Sequence, residues 1–270
     1  FAKTEADVLR ALGKDRCNLE DFKALISPAA EPYLRQMAIK AEELTLRRFG
    51  RTIQMYVPLY VSNYCANYCI YCGFNCHNQI NRVKLSIDDI MKEIAVLKDW
   101  GFRHLLLVSG EAPKLTGVDY YGEAGVHKIG IGALLGLQNW RTDSFFTALH
   151  LQYLERTHWR TRYSISLPRL RPHVGSFMPT DPINDRQMAQ LICAYRLFDP
   201  EVDISLSTRE SSAFRDMAMH IGATTMSAAS STEPGGYATP HTELEQFAIN
   251  DGRSVEEMAA AIRAQGYEPV

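Results

Sequence analysis

The sequence predicts an α/β fold, a TIM-type (β/α) barrel preceded by a helical extension. Two observations lead to this prediction. After residue 50, patterns typical of strands alternate with patterns typical of helices, which favours parallel βα units. Polar and glycine-rich clusters follow the predicted strands, and the carboxyl ends of the strands are where a βα barrel carries its active site. We therefore expect distant parts of the chain to meet at one end of the barrel.

The composition is that of an ordinary soluble globular protein. The 270 residues are 46% hydrophobic and 22% charged, with a formal net charge of −2, which gives no electrostatic reason to expect a nucleic-acid or membrane partner. No apolar run approaches the roughly 20 residues that a membrane-spanning helix needs, and no secretory signal is visible. Four of the six cysteines crowd into residues 65–76, which indicates metal binding rather than a disulfide scaffold. We expect a cytoplasmic protein.

Residues 1–50 are predicted to form the helical extension. Asn18, with Asp21 three residues later, has the pattern of a helix N-cap. A longer helix opens at Ser27-Pro28 and ends at Gly50. Its apolar positions keep helical spacing at Leu34, Met37, Ala41 and Leu44. We assign residues 51–252 to the barrel and residues 253–270 to a C-terminal helix packed on it.

The barrel region contains six predicted strands, at 53–61, 104–108, 129–135, 163–167, 202–206 and 223–227. Helices are predicted at 86–100, 145–156, 185–197, 214–220 and 254–266. A closed barrel has eight strands, and between Glu111 and Lys128 no helix of usable length is visible. Either the barrel is partial, or a block of residues is absent from this sequence close to Tyr121–Gly122. We expect the second, in which case the Cα atoms at the join lie much farther apart than the roughly 3.8 Å of a trans peptide.

Three cysteines follow the first predicted strand, at Cys65, Cys69 and Cys72. Three thiolates in one loop can bind three irons of a cubane cluster and leave the fourth open, and thiolates suit iron–sulfur clusters or zinc. The alternative is a structural zinc site with four ligands, the fourth supplied by Cys76 or His77. Three features weigh against zinc: a buried strand precedes the loop, an aromatic residue directly precedes the third cysteine, and there is no second cysteine pair.

The cysteine spacing, with Tyr71 before the third cysteine, resembles the signature of the radical S-adenosylmethionine (SAM) superfamily. In that superfamily the three cysteines hold a [4Fe–4S] cluster whose open iron binds SAM, and the aromatic residue lies by the adenine. Ser109, Gly110 and Glu111, after the second strand, are similar to the superfamily's Gly-Gly-Glu motif, which holds the methionyl amine; a serine replaces the first glycine. The resemblance therefore implies that SAM is bound by Tyr71, Ser109, Gly110 and Glu111.

Four further segments narrow the resemblance to the 2-iminoacetate synthase family, the tyrosine lyases of bacterial thiamine biosynthesis. They are Tyr56-Val57-Pro58-Leu59-Tyr60, Pro168-Arg169-Leu170-Arg171-Pro172, Leu206-Ser207-Thr208-Arg209-Glu210 and Pro234-Gly235-Gly236-Tyr237. The resemblance implies radical cleavage of L-tyrosine to p-cresol and 2-iminoacetate (dehydroglycine), which serves the thiazole of thiamine. It also implies flavodoxin or ferredoxin as electron donor and a thiazole synthase partner that receives the imine.

An amino-acid substrate needs its carboxylate fixed, and arginine can donate two parallel hydrogen bonds to it. Arg169, Arg171 and Arg209 follow strands at the expected active-site end. Side chains alternate along an extended segment, so Arg169 and Arg171 are expected to point the same way. We rank these two above Arg209, expect at least one of the three to be structural with Glu210 as its partner, and add Ser207 as a helper.

Two other classes of function stay open from the sequence. Another radical SAM lyase or synthase could use the same motifs on a different small substrate. The related tyrosine lyase of hydrogenase-cofactor maturation is disfavoured, because it carries a second cluster on C-terminal cysteines and this chain has no cysteine after Cys193. A zinc-stabilised barrel with a binding role would have no radical chemistry.

Overall fold

The computed structural model describes residues 2–112, 128–170, 177–238 and 246–270. In them the chain forms one parallel sheet flanked by helices, and no helix among these residues is long and apolar enough to cross a membrane. The strands are β1 (Thr52–Ser62), β2 (Leu105–Ser109), β3 (Lys128–Ile131), β4 (Arg162–Ser166), β5 (Asp203–Leu206), β6 (Thr225–Ser227) and β7 (Glu268–Pro269). The helices are α1 (Glu5–Leu12), α2 (Leu19–Leu25), α3 (Leu34–Phe49), α4 (Ile87–Asp99), α5 (Trp140–Thr157), α6 (Asp185–Phe198), α7 (Ser212–Ala218) and α8 (Val255–Ala264), with 3₁₀ turns at Pro28–Tyr33 and Met219–Ile221.

The strand order is that of a (β/α) barrel with one gap. Neighbouring strands follow the order β2-β1-β6-β5-β4-β3, all in parallel pairs, and β7 pairs with the first residues of β1. Among the described strands, β2 and β3 form the two open edges, so the gap falls between the second and third strands. The predicted fold class is confirmed, and the barrel is incomplete in the described residues. The join expected at Tyr121–Gly122 lies outside the described residues.

Local signals place most element boundaries where the sequence predicts them. The side chains of Asn18 and Ser86 accept hydrogen bonds from the backbone three residues later and so begin α2 and α4. The strand predicted at 129–135 is shorter and ends at Ile131. At the next residue, Gly132, the backbone approaches Ser166 so closely that a Cβ would lie 2.0 Å from the Ser166 carbonyl oxygen. β7 was not predicted, since two residues carry no periodicity.

The helical extension packs on the outside of the barrel and covers α6. Residues Met188–Phe198 of α6 are all buried, although a helix on the outside of a barrel ordinarily keeps one face in solvent. Gln190 Nε2 donates to the carbonyl oxygens of Leu25 and Ser27, at 2.8 and 3.0 Å, and these bonds hold the extension against α6. The extension and the barrel therefore share one hydrophobic core.

The segment Pro234-Gly235-Gly236-Tyr237, which follows β6, supports the carboxyl-terminal half of β1. β1 pairs with β6 only as far as Tyr56, so the carbonyl oxygen of Pro58 has no strand partner on that side. Instead Tyr237 Oη donates to it at 2.6 Å. The backbone N–H groups of Tyr237 and Ala238 donate in turn to the carboxylate of Glu93, a buried residue of α4. The Pro-Gly-Gly-Tyr segment thus fixes the strand that leads into the cysteines.

Candidate active site

The cysteine loop begins directly after β1, and hydrogen bonds from Arg82 hold it in place. Arg82 donates to the backbone carbonyls of Asn63 and Phe74 at 2.7 and 2.8 Å, and to Asn75 at 2.6 Å. Within the loop, Cys76 N–H donates to the carbonyl oxygen of Asn67 at 3.0 Å. Five guanidinium N–H donors are available to one arginine, so Arg82 satisfies loop carbonyls that no strand or helix pairs. No motif in the sequence marks Arg82 for this role.

The end of β2 packs against this loop. Ala66 N–H donates to the carbonyl oxygen of Glu111 at 2.9 Å, and Asn67 Nδ2 donates to Glu111 Oε2 at 2.6 Å. A Cβ on Gly110 would lie 2.3 Å from the carbonyl oxygen of Tyr64, so this position accepts only glycine without a backbone shift. The structure therefore brings Ser109, Gly110 and Glu111 together with the loop that carries the cysteines.

Tyr71 lies beside the cysteines. Burial, and then a hydrogen bond with the Cys69 thiol, raise the pKa of Tyr71 to about 12. The Tyr71 ring packs against Phe177, with ring centroids 6.0 Å apart. The side chain is thus held near the thiols, and its contact with the adenine of SAM stays a prediction.

The donors of the loop fit an iron–sulfur cluster. The three motif cysteines are free thiols and partly exposed, and Gln246 Nε2 donates toward Cys72 Sγ at 3.6 Å. An N–H donor directed at sulfur is the kind of outer contact that surrounds cluster thiolates. Within the described ranges, no group of three or more His, Cys, Asp or Glu side chains is already arranged around one metal position. This holds for the three motif cysteines and equally for a zinc site completed by Cys76 or His77.

The guanidinium of Arg169 binds two carboxylates within the protein. Its Nε donates to Glu210 Oε1 at 3.0 Å, Nη2 donates to Glu210 Oε2, and Nη1 donates to Asp185 Oδ1 at 2.7 Å. Burial by itself lowers the pKa of Arg169, but the hydrogen bonds and charges of Glu210 and Asp185 raise it above its ordinary value. These contacts favour a structural role for Arg169, the role that we expected for at least one of the three arginines, because its planar guanidinium already binds the buried carboxylate of Glu210. Which arginine binds the substrate stays a prediction.

Arg209 lies close to Tyr60 of β1. Its guanidinium stacks on Phe247, 3.3 Å from the ring centroid, and Nη1 donates to the carbonyl oxygen of Arg169 at 3.4 Å. Burial raises the pKa of Tyr60 inside the barrel, and the positive charge of Arg209 opposes that rise, which reflects their proximity. Ser207 Oγ accepts from Arg209 N–H at 3.4 Å. Arg171, the second favoured arginine, lies outside the described residues.

Two residues of this site come from a segment that carries no sequence motif. Gln246 and Phe247 lie between β6 and α8, and they contact Cys72 and Arg209 respectively. Tyr60 of β1 donates from Oη to Gln246 Oε1 at 2.7 Å. Only the curvature of the sheet brings them together, and no local signal in the sequence could have found Gln246.

Comparison with known proteins identifies relatives of nearly the whole chain. Residues 166–268 match the family model described as the Biotin and Thiamin Synthesis associated domain. The 2-iminoacetate synthase of Escherichia coli (strain K12) is 41% identical, covering 99% of this chain and 90% of that protein. The enzyme of the same name from Salmonella typhimurium (strain LT2) is 39% identical with the same coverage. A crystal structure of HydG, a maturase of the [FeFe]-hydrogenase, has the same fold, with a TM-score of 0.89, 24% identity, and coverage of 99% of this chain and 77% of that one.

The length of the alignment agrees with the gap in the sheet. It extends over 340 positions, 70 more than the residues of this chain, and about 30 residues make one βα unit of a barrel. Two such units would supply the two strands by which the six barrel strands of the described residues fall short of eight. High identity, near-complete coverage, and a cysteine loop packed on Gly110 and Glu111 agree with one another, and the chain belongs to the 2-iminoacetate synthase family.

Proposed function

We propose that this chain cleaves L-tyrosine between Cα and Cβ by radical chemistry, giving 2-iminoacetate (dehydroglycine) and p-cresol. The observation that carries the proposal is the packing of the cysteine loop on the end of β2. Ala66 and Asn67 of the loop both bind Glu111, so the proposed cluster ligands and the proposed SAM ligand share one rigid platform. The family to which the chain belongs supports the substrate and the products.

The cofactor roles follow the residues of this platform. Cys65, Cys69 and Cys72 would hold a [4Fe–4S] cluster, and Tyr71 with the Ser109–Glu111 segment would hold SAM. When bound, the two together supply a 5′-deoxyadenosyl radical, which the protein itself cannot provide. The part of this chain is to orient the reactants: Gly110 permits the close approach of the two loops, and Arg82 keeps the cysteine loop in one shape.

Of the two arginines that the structure describes, Arg209 is the better placed to bind the tyrosine carboxylate. Stacking on Phe247 fixes the plane of its guanidinium, and a fixed plane is what bidentate recognition of a carboxylate requires. Ser207, bonded to the Arg209 backbone, supports the turn that presents this side chain. Arg171 stays a second candidate, and Arg169 serves the fold through Glu210.

The proposal also names an electron donor, an acceptor for the product and a cellular location. Flavodoxin or ferredoxin delivers the electron to the cluster, and a thiazole synthase receives 2-iminoacetate, since the imine hydrolyses readily in water. We place the protein in the cytoplasm, where reduced thiols persist, and the six free cysteines support this assignment.

The test uses the full-length protein, reconstituted anaerobically and supplied with SAM, a strong reductant and L-tyrosine. We expect p-cresol and 5′-deoxyadenosine to appear together, and Cys69→Ala to abolish both. Arg209→Met should raise the KM for tyrosine, whereas Arg47→Met, the same change on the exposed face of α3, should not. Deoxyadenosine without p-cresol would retain a radical SAM enzyme but refute tyrosine cleavage. A colourless, zinc-containing protein with neither product would refute the radical chemistry.

A further inference from the structure

We infer that Gln246 is a positioning residue for the iron–sulfur cluster, whose side-chain amide donates a hydrogen bond to the Cys72 sulfur and raises the reduction potential of the cluster. The inference rests on the cluster proposed above for the three motif cysteines. It concerns a residue 174 positions away from Cys72 in the chain, with no part in the cysteine motif.

The contact is one member of a short chain of hydrogen bonds. Tyr60 Oη donates to Gln246 Oε1 at 2.7 Å, and Gln246 Nε2 donates toward Cys72 Sγ at 3.6 Å. The side chain of Tyr60 is buried in β1, with its ring edge-on to Phe74 at a centroid distance of 5.8 Å. The donor at the start of the chain is therefore fixed by the barrel wall.

The chemistry of the sulfur determines which way the amide faces. A cysteine that ligates iron is a thiolate and can only accept hydrogen bonds. The Gln246 amide must then turn its NH₂ group to Cys72, and its oxygen is left to accept from the Tyr60 hydroxyl. The observed arrangement of donors and acceptors is the one that a bound cluster requires.

The backbone that carries Gln246 is anchored at both ends of the site. Gly73 N–H donates to the carbonyl oxygen of Gln246 at 3.3 Å, which joins the segment to the residue after Cys72. Four and five residues later, the N–H groups of Asn250 and Asp251 donate to the carbonyl oxygen of Thr208 at the end of β5, at 2.9 and 3.1 Å. A donor held at two points can keep its direction when the charge on the sulfur changes.

A fixed N–H donor stabilises the more negatively charged, reduced form of a cluster more than the oxidised form. Loss of the donor should therefore shift the midpoint potential to a more negative value. We expect Gln246→Leu to lower the ratio of reduced to oxidised cluster by about tenfold at a given ambient potential, which for a one-electron couple is a shift of about 59 mV. Tyr60→Phe leaves the amide in place but unanchored, and it should shift the potential in the same direction by less.

The measurement is a redox titration of the reconstituted full-length enzyme without SAM, followed by the EPR signal of the reduced cluster. Gln265→Leu is the matched control, because Gln265 follows α8 and its side chain contacts His220 rather than the cysteine loop. A more negative potential in Gln246→Leu and Tyr60→Phe, with that of Gln265→Leu unchanged, supports the inference. Equal potentials in Gln246→Leu and wild type, at equal iron and sulfide content, overturn it.

If Gln246→Leu fails to retain iron, Gln246→Glu carries the same test with a side chain of the same size. Glutamate replaces the donor by a negative charge beside the sulfur, so its potential must fall below that of the wild type. An unchanged potential in both Gln246→Glu and Tyr60→Phe overturns the inference. A wild-type protein that binds no iron would instead refute the proposed function, and the two failures are therefore distinguishable.

Discussion

The pairing of Arg169 with Glu210 makes a specific prediction about stability. Glu210 has a side chain that is 1% exposed, and Arg169 supplies two hydrogen bonds to it from Nε and Nη2. Removal of one partner from a buried ion pair leaves an uncompensated charge and costs about 3–5 kcal/mol. Asp185, the other partner of Arg169, is 65% exposed, and the loss of an exposed pair costs only about 0–1 kcal/mol. We therefore expect Arg169→Met to destabilise the protein by about 3–5 kcal/mol, nearly all of it from Glu210.

A double-mutant cycle separates this structural role from substrate binding. In Arg169→Met/Glu210→Met no charge stays buried, so the double variant should be more stable than Arg169→Met alone, with a coupling energy of about 2–3 kcal/mol. The assay is equilibrium urea unfolding of the full-length protein before reconstitution, followed by tyrosine kinetics after reconstitution. The KM for tyrosine in the double variant should stay close to that of the wild type.

Two results would contradict this reasoning. The first is a double variant no more stable than Arg169→Met, which would mean that the buried Glu210 charge is not the source of the loss. The second is a double variant that recovers stability but has a KM raised by about 10- to 100-fold, the loss expected when hydrogen bonds to a substrate carboxylate are removed. That outcome would return Arg169 to the role predicted from the sequence. Arg209→Met should raise the KM for tyrosine, and the substitution Glu210→Met should not restore it.

Three further predictions follow from other parts of the fold. Tyr237→Phe should lower the free energy of unfolding by about 1–3 kcal/mol, because the carbonyl oxygen of Pro58 loses its donor in a buried place; urea unfolding measures it. Gly110→Ala should reduce the iron retained after reconstitution, since the new Cβ would lie 2.3 Å from a carbonyl oxygen of the cysteine loop. Burial, and then its contact with another carboxyl group, raise the pKa of Glu155 to about 8, so this residue should make the protein less stable as the pH rises.

The sign of the last effect follows from proton linkage. The folded protein holds a proton on Glu155 up to about pH 8, while the unfolded chain releases it near 4.5, so the folded state binds more protons between these values and loses stability as the pH increases through them. Glu155→Gln should flatten this dependence in unfolding experiments from pH 5 to 9, and an unchanged slope would contradict the assignment.

For Gly110→Ala the control is Gly252→Ala, where a Cβ meets no atom within 4 Å; equal iron content in the two variants would show that the close approach is unimportant. Trp100→Phe, which keeps an aromatic ring against Tyr237, controls for Tyr237→Phe, and equal stability of these two variants would contradict a role for the hydroxyl.

Features that depend on near neighbours in the chain could be predicted from the amino-acid sequence. Period-two alternation predicted β1, period-3.6 spacing predicted α3, and Asn18 and Ser86 began their helices as expected. The parallel βα order then implied that residues after successive strands would meet, and Glu111 does meet the cysteine loop. The shortage of strands, and its place between β2 and β3, were also visible in the sequence.

The pairing of charged and hydrogen-bonding side chains with one another became visible only in the folded protein. The alternation of side chains predicted the same role for Arg169 and Arg171. The contact with Glu210 shows that the guanidinium of Arg169 already binds a carboxylate within the protein. Gln246 lies in a segment without periodicity or motif, yet it reaches Cys72 because the sheet curves and returns the chain to β1. Propensity and capping act over three or four residues. Contacts between residues more than a hundred positions apart depend instead on how the strands are arranged in the barrel, and no local pattern encodes them.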